Sequence, residues 1–374
     1  MKSLKIPLSR PDITQQDIES VVEVLNTPNL SLGPKLSEFE RKLADFTGTK
    51  HAIAVSSGTS GLHVCVRALG IREGDEVITT PFSFVASANV MLYERAKPVF
   101  VDIDPETLNI DASRIEERIG DATQALLPVH IFGYPCDMDP LMEMAARHNL
   151  KVIEDACEAI GAEYNGQRVG TFGDCGVFAF YPNKQMTTGE GGVIVTDDEE
   201  IAQACRALRN QGRDNRWLEH PHLGFNYRIS DINCALGIAQ LERIHEMLAH
   251  RERVAQTYHE RLKGLDSLRV LGSSPSVKRS WFVYVVILDS RFSREDRNRI
   301  ISELANKGIE SNDYFAPIHL QPFYRKMFGY KRGDFPVTES ISDRTIALPF
   351  YNHLGEAEIN YVCEQLEGEL GRQG

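Results

Sequence analysis

The sequence predicts an α/β protein of two domains, and three observations carry that expectation. Short apolar runs of strand length alternate with helical patterns over roughly the first 200 residues. A long helical pattern then runs from Asp231 toward Leu262, and a strand, a helix, a Pro-rich stretch and a last helix follow it. Strands with helices between them imply βαβ units, hence a large domain with a mostly parallel sheet flanked by helices. We place that domain at residues 1–245 and a smaller C-terminal α/β domain at residues 246–374.

Each element has its own signal. In residues 34–46 the apolar Leu36, Phe39, Leu43 and Phe46 recur at helical spacing, with Pro34 near the start and Gly48 just past the end. Strand-like runs follow at 52–55, 76–80, 98–102, 124–129, 151–154, 177–180 and 192–196, with helical patterns at 58–69 and 140–148 among them. The pattern after Asp231 has Ile232, Leu236, Ala239, Leu248 and Leu262 among its apolar positions and reads as one helix. The C-terminal part reads as a strand at 282–288, a helix at 295–307 and a final helix at 356–366.

Composition narrows the function classes. The chain has 374 residues, 42% hydrophobic and 25% charged, which suits a globular domain pair with a sizeable core. Its longest apolar run, 282–288, is far too short to cross a bilayer, and the N-terminus has no long apolar segment of a secretion signal, so a cytoplasmic protein is expected. Seven cysteines stand singly, a pattern of neither a disulfide framework nor a zinc site, and no metal is expected. A net charge of −12 disfavours nucleic-acid or anionic-membrane binding. Residues 206–228 go against this trend, with five arginines, Arg213 and Arg216 among them, against Asp214 and Glu219; they read as a receptor for an anionic substrate or as a solvated face.

Three predicted strand ends hold residues with chemical potential, and in such sheets ligands sit beyond the carboxyl ends of the strands. The first strand breaks into Ser56-Ser57-Gly58-Thr59-Ser60-Gly61, a turn that opens a helix. Free amides there suit a phosphate, with hydroxyls from Thr59 and Ser60, but the same residues serve as plain N-caps. Asp155 ends the run 151–154 and reads either as the partner of a protonated ring nitrogen or as a cap or solvated carboxylate. Lys184 lies between an apolar strand and the turn Gly189-Glu190-Gly191-Gly192, as a desolvated nucleophile or an ordinary turn lysine. Their order matches the needs of pyridoxal phosphate: an anchored phosphate, a protonated ring nitrogen and an amine for the aldehyde. Phe84, in Pro81-Phe82-Ser83-Phe84-Val85, could cover the ring face or belong to the core.

With these residues in place the chain resembles the DegT-type sugar aminotransferases, of the fold-type-I pyridoxal phosphate enzymes. The resemblance spans nearly the whole chain and rests on Ser31-Leu32-Gly33-Pro34, Ser57-Gly58-Thr59-Ser60, Val99-Phe100-Val101-Asp102-Ile103-Asp104, Pro128-Val129-His130, Glu154-Asp155-Ala156, Thr187-Thr188-Gly189-Glu190-Gly191-Gly192, Gly224-Phe225-Asn226-Tyr227-Arg228 and Pro317-Ile318-His319-Leu320-Gln321-Pro322. It implies a fold-type-I aminotransferase with Lys184 as the Schiff-base lysine, Asp155 as the ring-nitrogen partner, Gly58, Thr59 and Ser60 as phosphate binders and Phe84 on the ring. It further implies a homodimer with shared active sites, in which Asn226 and Arg228 reach the neighbour's cofactor. Two departures stand out: Ala179 replaces a serine that contacts phosphate in many relatives, and Glu158 replaces a glutamine near the phenolic oxygen. The resemblance implies glutamate as donor and a nucleotide-linked keto-deoxy sugar as acceptor, with Arg213, Arg216, Tyr314 and His319 as substrate-side candidates. A cyclitol or other cyclic ketone, or a regulatory protein that only binds these ligands, are the alternatives; Lys184 argues against sugar dehydration, whose enzymes commonly carry His there.

Overall fold

The computed structural model describes residues 5–214 and 219–371. Helix α1 (Gln15–Leu25) opens on a capping box of Thr14 and Asp17. Helix α2 (Pro34–Thr47) has Pro34 in its first turn, Leu36, Phe39 and Leu43 on its buried stripe, and Gly48 in the left-handed region at its end. The Asp231 carboxylate accepts from the Gly33 and Lys35 amides at 2.8 and 3.0 Å, supplying acceptors that the α2 N-terminus lacks.

Strands β1 (His51–Val55), β2 (Glu76–Thr79), β3 (Lys97–Phe100), β4 (Thr123–Leu126) and β5 (Lys151–Asp155) follow, then the hairpin β6 (Glu163–Tyr164) and β7 (Gln167–Arg168), then β8 (Cys175–Ala179) and β9 (Gly192–Thr196). Seven of them form one sheet in the order β1-β9-β8-β5-β4-β2-β3, in which β9 alone runs against the rest. Helices α3 (Gly58–Ala68), α4 (Ala86–Tyr93), α5 (Met138–His148) and α6 (Glu199–Arg209) alternate with the strands. Ala52 and Ala54 of β1 belong to one core cluster with Phe39 of α2 and Leu141 of α5, whereas Ile53 and Val55 belong to another with Leu62 of α3 and Cys205 of α6. Burial on both faces is why these strands read as continuous apolar runs. The chain leaves β1, β2, β4, β5 and β8 at the same edge of the sheet, because these strands are mutually parallel.

Some boundaries depart from expectation. The strand expected over 124–129 stops at Leu126, and beyond Pro128, which has no N–H to give, Val129 keeps one bridge to Asp155. The helix expected from Asp231 to Leu262 is two, α7 (Asp231–Glu242) and α8 (Ile244–Leu262), with Arg243 off the helical region at φ −104° and ψ 5°. Neither Pro nor Gly stands at the break; the Arg243 guanidinium is held instead by Asp12 at 3.1 Å, just before α1, and by Asp17 at 3.4 Å, in its first turn.

The C-terminal layer is built on an antiparallel sheet of β10 (Leu268–Val270), β12 (Tyr284–Leu288) and β13 (Thr345–Leu348), while β11 (Val277–Lys278) pairs with β6. Helix α9 (Arg294–Asn306), the short α10 (Pro322–Phe328) and α11 (Pro336–Ser342), and α12 (Glu356–Leu370) complete it. Tyr258, Ile300, Val286, Val362 and Leu366 share its core with Ile6, whose amide donates to Gly308 at 2.8 Å, so the N-terminal segment packs in this layer. Helix α12 runs past its expected end because Leu370 also packs there. Among the described residues no helix is long and apolar enough to cross a membrane.

Candidate active site

The α3 N-terminus follows β1 directly. Ser57, extended at φ −166° and ψ 164°, caps the helix: its hydroxyl accepts from the Ser60 amide at 3.1 Å, and the Ser60 hydroxyl takes the Ser57 amide at 2.9 Å. The Ser60 hydroxyl also donates to the Ser57 carbonyl at 2.8 Å, so Ser60 spends its polar groups within the cap. The helix itself leaves the Gly58 and Thr59 amides without acceptors, and these point an anion site outward. Gly58 is there because nothing larger fits: a Cβ would stand 2.7 Å from the Ala179 Cβ and 2.8 Å from the Cys157 Sγ. Gly192 is needed for the same reason at the start of β9, where a Cβ would lie 2.8 Å from the Gly58 nitrogen.

Asp155 is the last residue of β5 and is buried, which removes the solvated-carboxylate reading. Its amide donates to the Pro128 carbonyl at 2.9 Å and its carbonyl accepts from the His130 amide at 3.0 Å. Its Oδ2 accepts from the Ser87 hydroxyl at 2.6 Å and its Oδ1 from the Cys157 amide at 3.2 Å. A buried carboxylate held this way keeps lone pairs for one further N–H donor.

Lys184 lies in the turn after β8, its side chain 13% exposed. The Nζ is 3.4 Å from the Glu158 Oε1 and 3.8 Å from the centroid of the Phe282 ring. Its carbonyl accepts from the Arg251 guanidinium at 2.9 Å, and the Gln185 amide group ties the same turn to the Glu158 carbonyl at 2.6 Å. The other Glu158 oxygen accepts from the Phe132 amide at 2.9 Å. Burial pushes the Glu158 carboxyl above the usual carboxylate range, opposed by the Lys184 charge and the Phe132 amide. Cys157 sits among these groups: burial, then the Asp155 charge, drive its thiol up, and Lys184 opposes them. One sulfur thus touches the fields of Asp155, Lys184 and Glu158 and the surface of Gly58.

Phe84 is 60% exposed on the turn between β2 and α4, whereas Phe82 is the ring that enters the core. Asn226 and Arg228 lie beside the exit of β1, where the Ser56 amide donates to the Tyr227 carbonyl at 2.8 Å. Within its own chain Arg228 donates to the Asn210 side chain at 3.2 Å. Tyr314 stacks between Phe282 and Phe132, at 6.5 and 6.4 Å between centroids, and so belongs to the wall beside Lys184. Burial, then the Glu158 charge, raise its phenol, against a hydrogen bond to Asn183.

Two expectations change. His319 is fully buried, its Nε2 3.0 Å from a Glu339 oxygen and its ring against Phe335, so it faces the interior of the C-terminal layer and not a substrate. The 206–228 stretch is no continuous basic face, because Arg209 is buried and bonded to Glu40 and to the Ala54 carbonyl. Arg213 follows α6, with its amide donating to the Asn210 carbonyl at 3.2 Å, and Arg216 lies outside the described residues. Asp12, His250 and His353 also come together with metal-capable atoms, but Asp12 is already held by Arg243 at 3.1 Å and Asn352 at 2.9 Å, a cation and a donor that oppose a metal ion.

Sequence reasoning missed Ser87, Phe282 and the fully buried His130, whose imidazole bonds Glu154 at 3.0 Å directly behind Asp155. The spacing of Ser83 and Ser87, one helical turn apart around Phe84, is a usable signal; Phe282 has none beyond being apolar, and His130 stands out only within Pro128-Val129-His130, which gives it no role.

The model of the DegT/DnrJ/EryC1/StrS aminotransferase family matches residues 11–367. The chain is 42% identical to a GDP-perosamine synthase of Caulobacter vibrioides over 372 residues, 98% of each chain. Its structure is similar to Helicobacter pylori PseC, an aminotransferase involved in the biosynthesis of pseudoaminic acid, with a TM-score of 0.94 and 29% identity over 98% of this chain and 100% of that one. It is equally similar to the PLP-form of Streptococcus pneumoniae Spr1654, at a TM-score of 0.94 and 29% identity over 99% of each chain.

Proposed function

The chain belongs to the DegT/DnrJ/EryC1/StrS aminotransferase family, and from that premise we propose that it moves an amino group from glutamate to a nucleotide-linked keto-deoxy sugar. It is a pyridoxal-phosphate-dependent sugar aminotransferase of fold type I. The residues suit this cofactor: a helix N-terminus with no room for a Cβ at Gly58, a buried carboxylate, a shielded amine and an uncovered aromatic ring stand around one sheet edge. That convergence is the observation that carries the reading.

Bound pyridoxal phosphate supplies a carbonyl for amine exchange and a ring that withdraws electrons from the bond being broken. The Gly58 and Thr59 amides would hold its phosphate, and Phe84 would cover the ring. Asp155 would accept the ring N–H and hold its charge in place. Lys184 would carry the cofactor and, once freed, move a proton at the donor Cα, with Phe282 and Tyr314 keeping water from its amine. Glu158, anchored on the Phe132 amide, stays within reach of that amine. With Ala179 offering no hydroxyl, phosphate binding leans on other donors, and we assign Asn226 and Arg228 of the partner subunit in a cytoplasmic homodimer. Arg213 and Arg216 are the side chains for the acceptor's diphosphate.

The test loads the enzyme with pyridoxamine phosphate and offers nucleotide keto-sugars and cyclic ketones without a nucleotide. Return of the pyridoxal absorbance with a nucleotide keto-sugar alone is the expected result. Return with a cyclitol ketone alone would overturn the acceptor assignment.

A further inference from the structure

The carboxylate of Asp155 does not stand by itself. Ser87, in the first turn of α4, donates to its Oδ2 at 2.6 Å, and Ser83 lies 2.8 Å from Ser87, oxygen to oxygen. A hydroxyl has one proton, and that of Ser87 is on the carboxylate, so Ser83 must be the donor to Ser87. The chain Ser83–Ser87–Asp155 therefore runs one way, each bond polarising the next. All three residues are buried, at 4%, 2% and 5% exposure, so water does not substitute for either hydroxyl. Ser87 also gives its amide to the Phe84 carbonyl at 3.2 Å. The exposed ring and the hydroxyl that grips the carboxylate thus share one turn.

We propose that Ser87 is a positioning residue for the ring-nitrogen partner, with Ser83 fixing the Ser87 rotamer. This rests on Asp155 being that partner. Free rotation of the carboxylate would turn the remaining lone pairs away from a ring N–H. With Oδ2 tied to Ser87 and Oδ1 to the Cys157 amide at 3.2 Å, the carboxylate plane is set before any ligand arrives. Face and edge contacts to the ring then move as one body, since residues 83–87 carry Phe84 and both hydroxyls.

The experiment uses the full-length protein reconstituted with pyridoxal phosphate labelled with 15N in the ring, and compares wild type, Ser87→Ala, Ser87→Thr, Ser83→Ala and Asp155→Asn. Three quantities are read: the ring-nitrogen chemical shift, the dissociation constant of the cofactor, and kcat with KM for glutamate. In Ser87→Ala the shift moves toward the unprotonated ring, cofactor affinity and kcat each fall about tenfold, and KM stays within about twofold, as expected for losing one charged hydrogen bond that does not touch substrate. Ser87→Thr restores all three, and Ser83→Ala gives a smaller change in the same direction. If Asp155→Asn moves the ring signal while Ser87→Ala leaves signal and affinity at wild-type values, the role of Ser87 is overturned alone. If Asp155→Asn itself leaves the signal unmoved, the assignment of Asp155 fails, and the inference falls with it. Thermal unfolding of each variant separates these outcomes from a general loss of structure, which would lower stability without the rescue by Thr.

Discussion

Two buried histidine–glutamate pairs in this molecule are built alike and sit in different places. Behind the candidate site, Glu154 accepts from the His130 Nε2 at 3.0 Å and from the amides of Gly170, Phe172 and Gly173 at 2.6, 2.6 and 2.8 Å. In the C-terminal layer, Glu339 accepts from the His319 Nε2 at 3.0 Å and from the Gly333 and Phe335 amides at 2.9 and 3.3 Å. Each carboxylate gathers a loop around itself, and each histidine supplies a side-chain donor that the loop lacks. The His130 pair is closed, because its Nδ1 accepts from the Cys136 amide at 3.0 Å, which leaves the proton on Nε2. The His319 Nδ1 has no acceptor or donor among the described residues. His130 is also bonded through its backbone to Asp155, whereas His319 touches Phe335 and Tyr330. The same device therefore stands behind the candidate site in one region and inside a packed layer in the other, and its neighbours set the difference.

The largest effect expected from this contrast is at Asp155 itself. Asp155→Asn should lower kcat by roughly 10²-fold or more while the cofactor still binds, since the amide keeps a hydrogen bond but loses the charge. Steady-state turnover with glutamate and absorbance of the bound cofactor measure the two parts. Retention of most activity would remove the functional side of the comparison.

Next in size are the histidines. His130→Ala and His319→Ala should each lose about 1–3 kcal/mol of stability in denaturant unfolding, because each takes the side-chain donor from a buried carboxylate. Only His130→Ala should also lower kcat, by about tenfold, through a displaced Asp155. A matching loss of turnover in His319→Ala would erase the distinction.

Much of this was legible in the sequence, for a physical reason. A sheet buried on both faces writes itself as apolar runs, and ligands of such a sheet gather at strand ends, so Gly58, Asp155 and Lys184 stood out by place before any geometry was known. The family resemblance then carried roles that no spacing could. What stayed hidden depends on contacts between distant segments. Arg243 interrupts a helical pattern because of Asp12 and Asp17, more than two hundred residues away. His130 and His319 look the same in a string of letters, each two residues after a proline in a stretch that carries the resemblance, and only their contacts separate them. Of the two readings open for the Ser60 hydroxyl, phosphate donor or helix cap, the contacts within the chain show the cap.

The smallest effect concerns pH. Burial lowers the His319 imidazole below its ordinary value of about 6.5, against the raising influence of Glu339. With the native pKa below the unfolded one, the unfolded chain binds more protons as pH falls, so this contribution is full above about pH 6.5 and shrinks below it. Between pH 7 and pH 5.5 the wild type should lose more stability than His319→Gln, read from denaturant midpoints. Parallel curves would mean that the imidazole is not held neutral.

The central claim is that Lys184 carries the cofactor at the edge where the phosphate turn and Asp155 meet. Borohydride reduction of the holoenzyme, followed by proteolysis and mass mapping, reads the attachment point directly. The account predicts the reduced cofactor on the peptide containing Lys184 and on no other, while an adduct on any other lysine would contradict it.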